Sequence, residues 1–311
     1  MRYSLNELYR SVGITKQAVW DYQRRKNAEL ETIRRIMRQV DQRRREHPGE
    51  GLEKLYWQLN PTGLGRDRFC EVFKGLGYGL KRRRNPVRTT VAAHKVFDNL
   101  IENQLVDGPN QVWQSDITYI KIGDRFYYLT FIIDVYTKLI VGYAISDSLR
   151  AEANRKALKM ALNRYKDDDL SRLIHHSDRG SQYIDGGYLQ QLRSRSITIS
   201  MGRKAQDNAY AERINGIIKN EYLYPRELSS YNQLTRYTRQ AVKDYNTKRH
   251  HYSLHRCSPV DFEKQWHHAG EADRQMIIIR SENTPENMPK KLEDPPIQPS
   301  GRFPYCLLIL N

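Results

Sequence analysis

Cysteine is scarce in this 311-residue chain: Cys70, Cys257 and Cys306 stand far apart and form no Cys-x-x-Cys pair. That excludes a disulfide framework and a paired-cysteine zinc ribbon, and the thiols read as the reduced thiols of an intracellular protein. Long apolar runs are missing as well. No stretch approaches the roughly 20 apolar residues needed to span a bilayer, and the apolar closing segment 303–311 is far too short. Met1 is followed by a polar, Arg-containing segment without an apolar signal core, so we expect no secretion and a cytoplasmic location. No internal repeat is visible. Acidic residues are in deficit, 36 against 52 Lys and Arg, which leaves a net charge of +16. The length allows two or three domains and at least one buried core.

The excess positive charge is uneven. Residues 1–95 hold 22 Lys or Arg against 10 Asp or Glu, whereas residues 96–311 hold 30 against 26. Clusters such as Arg43-Arg44-Arg45 and Lys81-Arg82-Arg83-Arg84 strengthen the asymmetry. Such a footprint suits a polyanion, and nucleic acid is favoured over a merely solvated surface. An anionic membrane is disfavoured because no amphipathic apolar face accompanies the clusters.

Helical spacing organises the amino-terminal third. Leu5, Leu8 and Tyr9 make one stripe, Gly13 a turn, and Thr15 an N-cap for the helix opening with Lys16-Gln17, a helix-turn-helix-like segment over 1–28. Any small helical hairpin would read the same way. A basic helical DNA-binding domain is expected over 29–95, with Leu30, Ile33, Ile36, Met37 and Val40 on one stripe. Its last helix carries Arg66 and Arg68 near its start and is the better candidate for a major groove. The run at 81–88 reads as a linker able to lie along phosphates.

Beyond residue 108 the composition turns to Val, Ile, Tyr, Phe and Thr. Gln111–Ile122, Arg125–Thr137 and Leu139–Ser148 read as three consecutive strands of an antiparallel meander. A helix over 150–166, a strand at 173–176, a helix at 188–195, a strand at 197–201 and further helices follow. This order predicts a ribonuclease H-like α/β fold, a mixed sheet with its first and fourth strands central, preceded by small all-α modules. The core should cover 108–265, and the polar, Pro-containing tail from 268 to 311 should be flexible.

Three acids stand in distinctive neighbourhoods. Asp116 lies within the strand Val112–Tyr119, where a carboxylate is costly unless paired or metal-bound. Asp178 follows Ile174-His-His-Ser and precedes Arg179-Gly-Ser-Gln-Tyr183, where Gln182 and Tyr183 could touch sugar or base edges. Glu212 lies on a helix opened by the capping residues Asp207-Asn208. On that helix Glu212, Asn215, Gly216 and Lys219 share a stripe opposite an apolar one, so both Glu212 and Lys219 are expected to face solvent. Carboxylates from two strands and a helix suit a pair of divalent cations working on phosphate. Asp134 reads as a structural neighbour, Asp167-Asp-Asp169 as a solvated loop, and His175-His176 as core or hydrogen-bonded histidines. His250, His251, His255 and Cys257 lack the paired spacing of a zinc site.

Over roughly residues 5–265 the chain resembles the transposases encoded by the second reading frame (OrfB type) of insertion sequences of family three, whose core is similar to that of retroviral integrases. Val112–Tyr119, Ile174–Tyr183, Ser200–Lys204 with Asp207–Glu212, and Tyr245–His250 with Ser258-Pro259 carry the resemblance. Tyr9–Thr15 and His47-Pro-Gly-Glu-Gly51 match the family's amino-terminal module. The resemblance implies a DDE transposase: Asp116, Asp178 and Glu212 hold two Mg2+ ions (Mn2+ as a substitute), cut at element ends to free a 3′-hydroxyl, and transfer strands into DNA. Lys219, Lys204, Arg179 and Asn215 would contact DNA near the chemistry, and Arg66, Arg68, Lys16 and Gln17 would bind the terminal inverted repeats. A homo-oligomer on DNA, a nucleoid location and an upstream-frame fusion or partner are further implications. The alternatives are a ribonuclease H-like nuclease that does not join strands, and a catalytically silent regulator derived from a transposase.

Overall fold

The computed structural model describes residues 5–80, 97–203, 205–270 and 274–279. The basic run at 81–88, Lys204 and the tail from 280 on, all singled out above, lie outside the described residues.

Helix α1 (Leu5–Ser11) leads through a turn at Gly13 to α2 (Lys16–Glu46). Thr15 caps α2, its hydroxyl accepting from the Ala18 N–H at 3.0 Å. The two helices expected on either side of residue 28 are in fact one, unbroken over 31 residues. The physical reason is local: Arg24–Glu31 contains neither Gly nor Pro and consists mainly of strong helix formers. Only the second half of α2 is packed. Ile36 and Val40 join Leu55 of α3 (Leu52–Leu59) and Phe69 and Phe73 of α4 (Arg66–Phe73) in a small core. The first half leaves Trp20, Tyr22 and Leu30 exposed.

After a two-residue β1 (Leu105–Val106) comes the main sheet of β2 (Val112–Ile122), β3 (Arg125–Asp134), β4 (Ile140–Ser146), β5 (Ile174–Ser177) and β6 (Thr198–Met201), in the order β4-β3-β2-β5-β6. The first three run antiparallel, and β5 and β6 add in parallel beside β2. This is the ribonuclease H-like arrangement, with the first and fourth strands of the main sheet adjacent at its centre. The parallel additions need crossovers, supplied by α5 (Ala151–Arg164) before β5 and α6 (Gly186–Arg193) before β6.

Strand alternation then sorts the core into two layers. Trp113 of β2 joins Ile132, Leu139 and Val141 under α5 and α6. Ile120, Phe131 and Ile133 lie on the other face, under α7 (Ala209–Ile217) and α8 (Tyr231–Lys248). Residues 114 and 116, in phase with 120, belong to the α7 side. Past α7 the helix widens into a π-type turn over Ile218–Leu223. Helix α9 (Pro259–His268) starts on Ser258, whose hydroxyl accepts from the Asp261 N–H.

The chain after 268 returns to the body. A short β7 (Ile277–Ile278) pairs with β1, and Ile279 is buried beside Val106. Two paired residues are too few to leave an alternation in the sequence, so this attachment was not expected.

Candidate active site

Strand register brings the two aspartates together. The parallel pairing of β2 with β5 ends at Ser115 opposite Ser177, so the next residues, Asp116 and Asp178, leave the ladder side by side. Neighbouring strands lie about 4.8 Å apart, and residues in register point to the same face. Here the parallel strands end, the usual position of a ligand crevice in an α/β sheet.

Helix α7 is tied to the same strand by side chains. Gln114, fully buried, donates to the Asp207 carbonyl at 3.1 Å and accepts from the Ala211 N–H at 3.2 Å. Asn208 Nδ2 donates to the Ser115 carbonyl at 3.0 Å. Asn215 Nδ2 donates to Asp116 Oδ2 at 2.7 Å. These bonds hold α7 on β2 and bring Glu212, in the first turn of α7, within electrostatic reach of both aspartates. They also correct two expectations. Asn208 makes no side-chain capping bond to α7; its Nδ2 is held on the Ser115 carbonyl of β2 instead. Asn215, placed by spacing on a solvent-facing stripe, is buried against Asp116, and so is Lys219 (8% exposed). Glu212 is exposed as expected. The periodicity was read correctly, but beyond Glu212 the stripe packs on β2 rather than facing solvent.

The carboxyls feel one another. Burial raises Asp116 to about 8, with the charges of Asp178 and Glu212 adding to it, while the N–H groups of Ile117 and Asn215 pull the other way. Glu212 is raised by burial and then by Asp178. Burial also raises Asp178, opposed by the Gly180 N–H that its Oδ1 accepts at 3.0 Å. Lys219 is lowered by burial and raised by Asp116; its ammonium lies 5.7 Å from the centre of the Tyr119 ring. The donor set is all carboxylate oxygen, the chemistry of a hard divalent cation. Among the described residues, no group of three or more His, Cys, Asp or Glu side chains is gathered tightly enough to hold a metal ion.

Other expected residues fall variously. Arg179 donates through Nε to the Gly202 carbonyl at 3.1 Å. Tyr183 is buried, its hydroxyl 3.1 Å from Ser115 Oγ; it packs beneath the site and cannot reach a base edge as foreseen. Gln182 donates to the Leu149 carbonyl. Asp134 is structural: it accepts from the Thr137 N–H and hydroxyl and from the Asn110 N–H. His175 bonds Tyr188 and His176 bonds Ser200, inside the core. His251 packs edge-on against Tyr245 and beside Arg249. Arg66 is paired with Asp67, and Arg68 with Glu29 and Glu71, all at the surface. Lys16 and Gln17 are exposed, with Gln17 bonded to Asp21. Gln114 was the residue not singled out in the sequence; two polar residues running into an acid within a strand were its only signal.

Comparison with known proteins shows the family. Two integrase core domain families match residues 106–206 and 195–259. The Shigella sonnei insertion element IS600 31 kDa protein is 35% identical over 70% of this chain and 82% of its own length. The transposase for insertion sequence element IS629 of Shigella sonnei is 30% identical over 71% and 76%. Transposase InsF for insertion sequence IS3fB of Escherichia coli K12 is 32% identical over 62% and 67%.

The chain belongs to the IS3-family transposases. The transposase therefore acts on DNA as a polynucleotidyl transferase with an integrase-type core. No helix among the described residues is long and apolar enough to cross a membrane.

Proposed function

We propose that Asp116, Asp178 and Glu212 are the catalytic acids of this transposase and hold two Mg2+ ions, for which Mn2+ can substitute. The register that sets Asp116 beside Asp178, with α7 fastened over both, carries this reading. Asp116 is held by Asn215 and Asp178 by the Gly180 N–H, so the exposed Glu212, with its three rotatable bonds, is the side chain that swings to complete the set. When bound, the ions lower the pKa of a water or hydroxyl nucleophile and neutralise charge on the phosphate and the leaving 3′ oxygen. The chain's own residues supply the rest. Asp116, Asp178 and Glu212 must all be ionised, and the crevice holds the duplex so that attack is in line. Water first breaks a phosphodiester at the element end, freeing a 3′-hydroxyl. That hydroxyl then loses its proton, attacks a target phosphate and displaces the target's own 3′ oxygen.

Lys219, Lys204 and Arg179 are assigned to the DNA backbone near the chemistry. Asn215 is reassigned to orienting Asp116. Arg66, Arg68, Lys16 and Gln17 are assigned to the terminal inverted repeats; the surface ion pairs of Arg66 and Arg68 are weak enough to exchange for phosphate. Two element ends must be held at once, so a homo-oligomer on DNA is expected, with an upstream-frame product as a further partner and the nucleoid as its place. The test is a strand-transfer assay with Mg2+. Asp116→Asn, Asp178→Asn and Glu212→Gln should each abolish joined product while leaving DNA binding intact. An active variant removes that acid from the assignment, and cleavage of an RNA–DNA hybrid without joining would favour the plain nuclease.

A further inference from the structure

The amino-terminal module meets the catalytic core at the far end of the helix that carries Glu212. In a regular helix the Glu221 carbonyl would accept from residue 225, but that residue is Pro225, which has no N–H. The N–H of the following residue, Arg226, goes to the Leu223 carbonyl. The helix end is thus left with a carbonyl that its own chain does not satisfy, and such a group is costly when buried. The missing donor comes from more than 170 residues earlier: the Gly49 N–H reaches the Glu221 carbonyl at 2.7 Å.

That approach admits only glycine. A Cβ at position 49 would lie 2.3 Å from Glu221 Cα and 2.6 Å from the Asn220 carbonyl oxygen. Side chains lock the contact on either side. His47 Nδ1 and the Tyr222 hydroxyl are 2.8 Å apart in a buried bond. The Glu221 carboxylate takes Lys54 of α3 at 3.2 Å and two bonds from Arg249 at 2.7 and 2.8 Å. Arg43 bonds the fully buried Glu50 and the Lys248 carbonyl. The segment so gripped is the π-type turn over Ile218–Leu223, closed by the Tyr224 N–H on the Lys219 carbonyl. A π turn inserts extra backbone and shifts the phase of everything on one side of it relative to the other. Lys219 sits inside it, within electrostatic reach of Asp116.

We propose that Gly49, with His47 and Lys54, is a positioning residue for the chemistry: the His47–Gly51 turn caps the catalytic helix from the DNA-binding module and sets Lys219 and Glu212 over the aspartates. This rests on the assignment of Glu212 made above. Module and active site are one mechanical unit, so loosening the turn lowers the rate of chemistry without weakening the grip on DNA.

The test uses the full chain. In Gly49→Ala, kcat for strand transfer should fall about 10- to 100-fold, as for small misplacements remote from the chemistry. The Kd for duplex element ends should stay within about twofold, and Mn2+ affinity measured by calorimetry should weaken, since the helix bearing one ligand is displaced. Lys54→Gln should reproduce the kcat loss more mildly, and Lys54→Arg should restore it. A folded Gly49→Ala protein with unchanged kcat overturns the inference, as does a kcat loss matched by an equal loss of DNA affinity. If Gly49→Ala does not fold, the lysine pair decides, and equal kcat in Lys54→Gln overturns it. Glu212→Gln separates the two ideas: its inactivity beside a fully active Gly49→Ala sinks this inference alone, whereas an active Glu212→Gln sinks the assignment beneath it.

Discussion

Asn215 Nδ2 donates to Asp116 Oδ2 at 2.7 Å, joining the helix that carries Glu212 to the strand that carries Asp116. The bond favours the ionised form of Asp116. Asn215→Ala should therefore cut kcat roughly 10- to 100-fold through loss of positioning. It should also move the acidic limb of the pH–rate profile to higher pH, because a hydrogen bond to the carboxylate is lost. A fall in rate with an unmoved profile would leave only a packing role.

On the proposed assignment, Asp116 makes metal binding as well as stability depend on pH. Its ordinary value is 3.8 and burial beside two acids raises it to about 8. Below about 4 the carboxyl is protonated in folded and unfolded chains alike. Between about 4 and 8 the unfolded chain gives up its proton while the folded one keeps it, so metal-free stability falls as pH rises through that window. Metal binding must displace that proton, so Mn2+ affinity should rise with pH toward about 8 and level off above it. Calorimetry in buffers of different ionisation enthalpy measures the released proton. Asp116→Asn should reduce both the pH dependence and the number of protons released, leaving only what Asp178 and Glu212 contribute.

The sheet presses close to its covering helix at Gly142. A Cβ there would meet the Ala157 carbonyl oxygen at 2.2 Å and Ala161 Cβ at 3.1 Å. Gly142→Ala forces β4 and α5 apart and should destabilise the core by about 1–3 kcal/mol, as overpacking does. A thermal or denaturant melt reports it. An unchanged melting temperature would show that the two elements can separate freely.

Arg68 is held by Glu29 and Glu71 with about half its side chain exposed. If it turns to phosphate on binding, Arg68→Ala should weaken DNA binding across sequences and lower the salt slope by about 1, as for one lost phosphate contact. The kcat of bound complexes should stay as in the unaltered protein. An unchanged slope would place Arg68 off the DNA.

Much of the fold could be read locally. The β2–β3–β4 meander follows from alternation and β-branched content, and the start of α2 from Thr15. The three acids announce themselves because a carboxylate in a strand, or ending one, contradicts the apolar pattern around it. What misled was exposure. Periodicity puts Asn215 and Lys219 on the face opposite the apolar stripe, and that face packs on Asp116 and Tyr119 of β2, so both are buried. Likewise the apparent break near residue 28 was a change of charge pattern within one helix, which no backbone feature enforces.

The amino-acid sequence by itself determined most of the strands and helices and which carboxylates stand out as candidates for the chemistry, since these depend on neighbours a few positions away. Tertiary structure alone decided how those pieces meet. The parallel register set Asp116 beside Asp178, the Asn215 amide turned toward Asp116 rather than solvent, and the Gly49 N–H supplied the donor that Pro225 denies Glu221. Each of those depends on backbone groups far apart in the chain arriving within hydrogen-bond distance, and no local propensity encodes such a meeting.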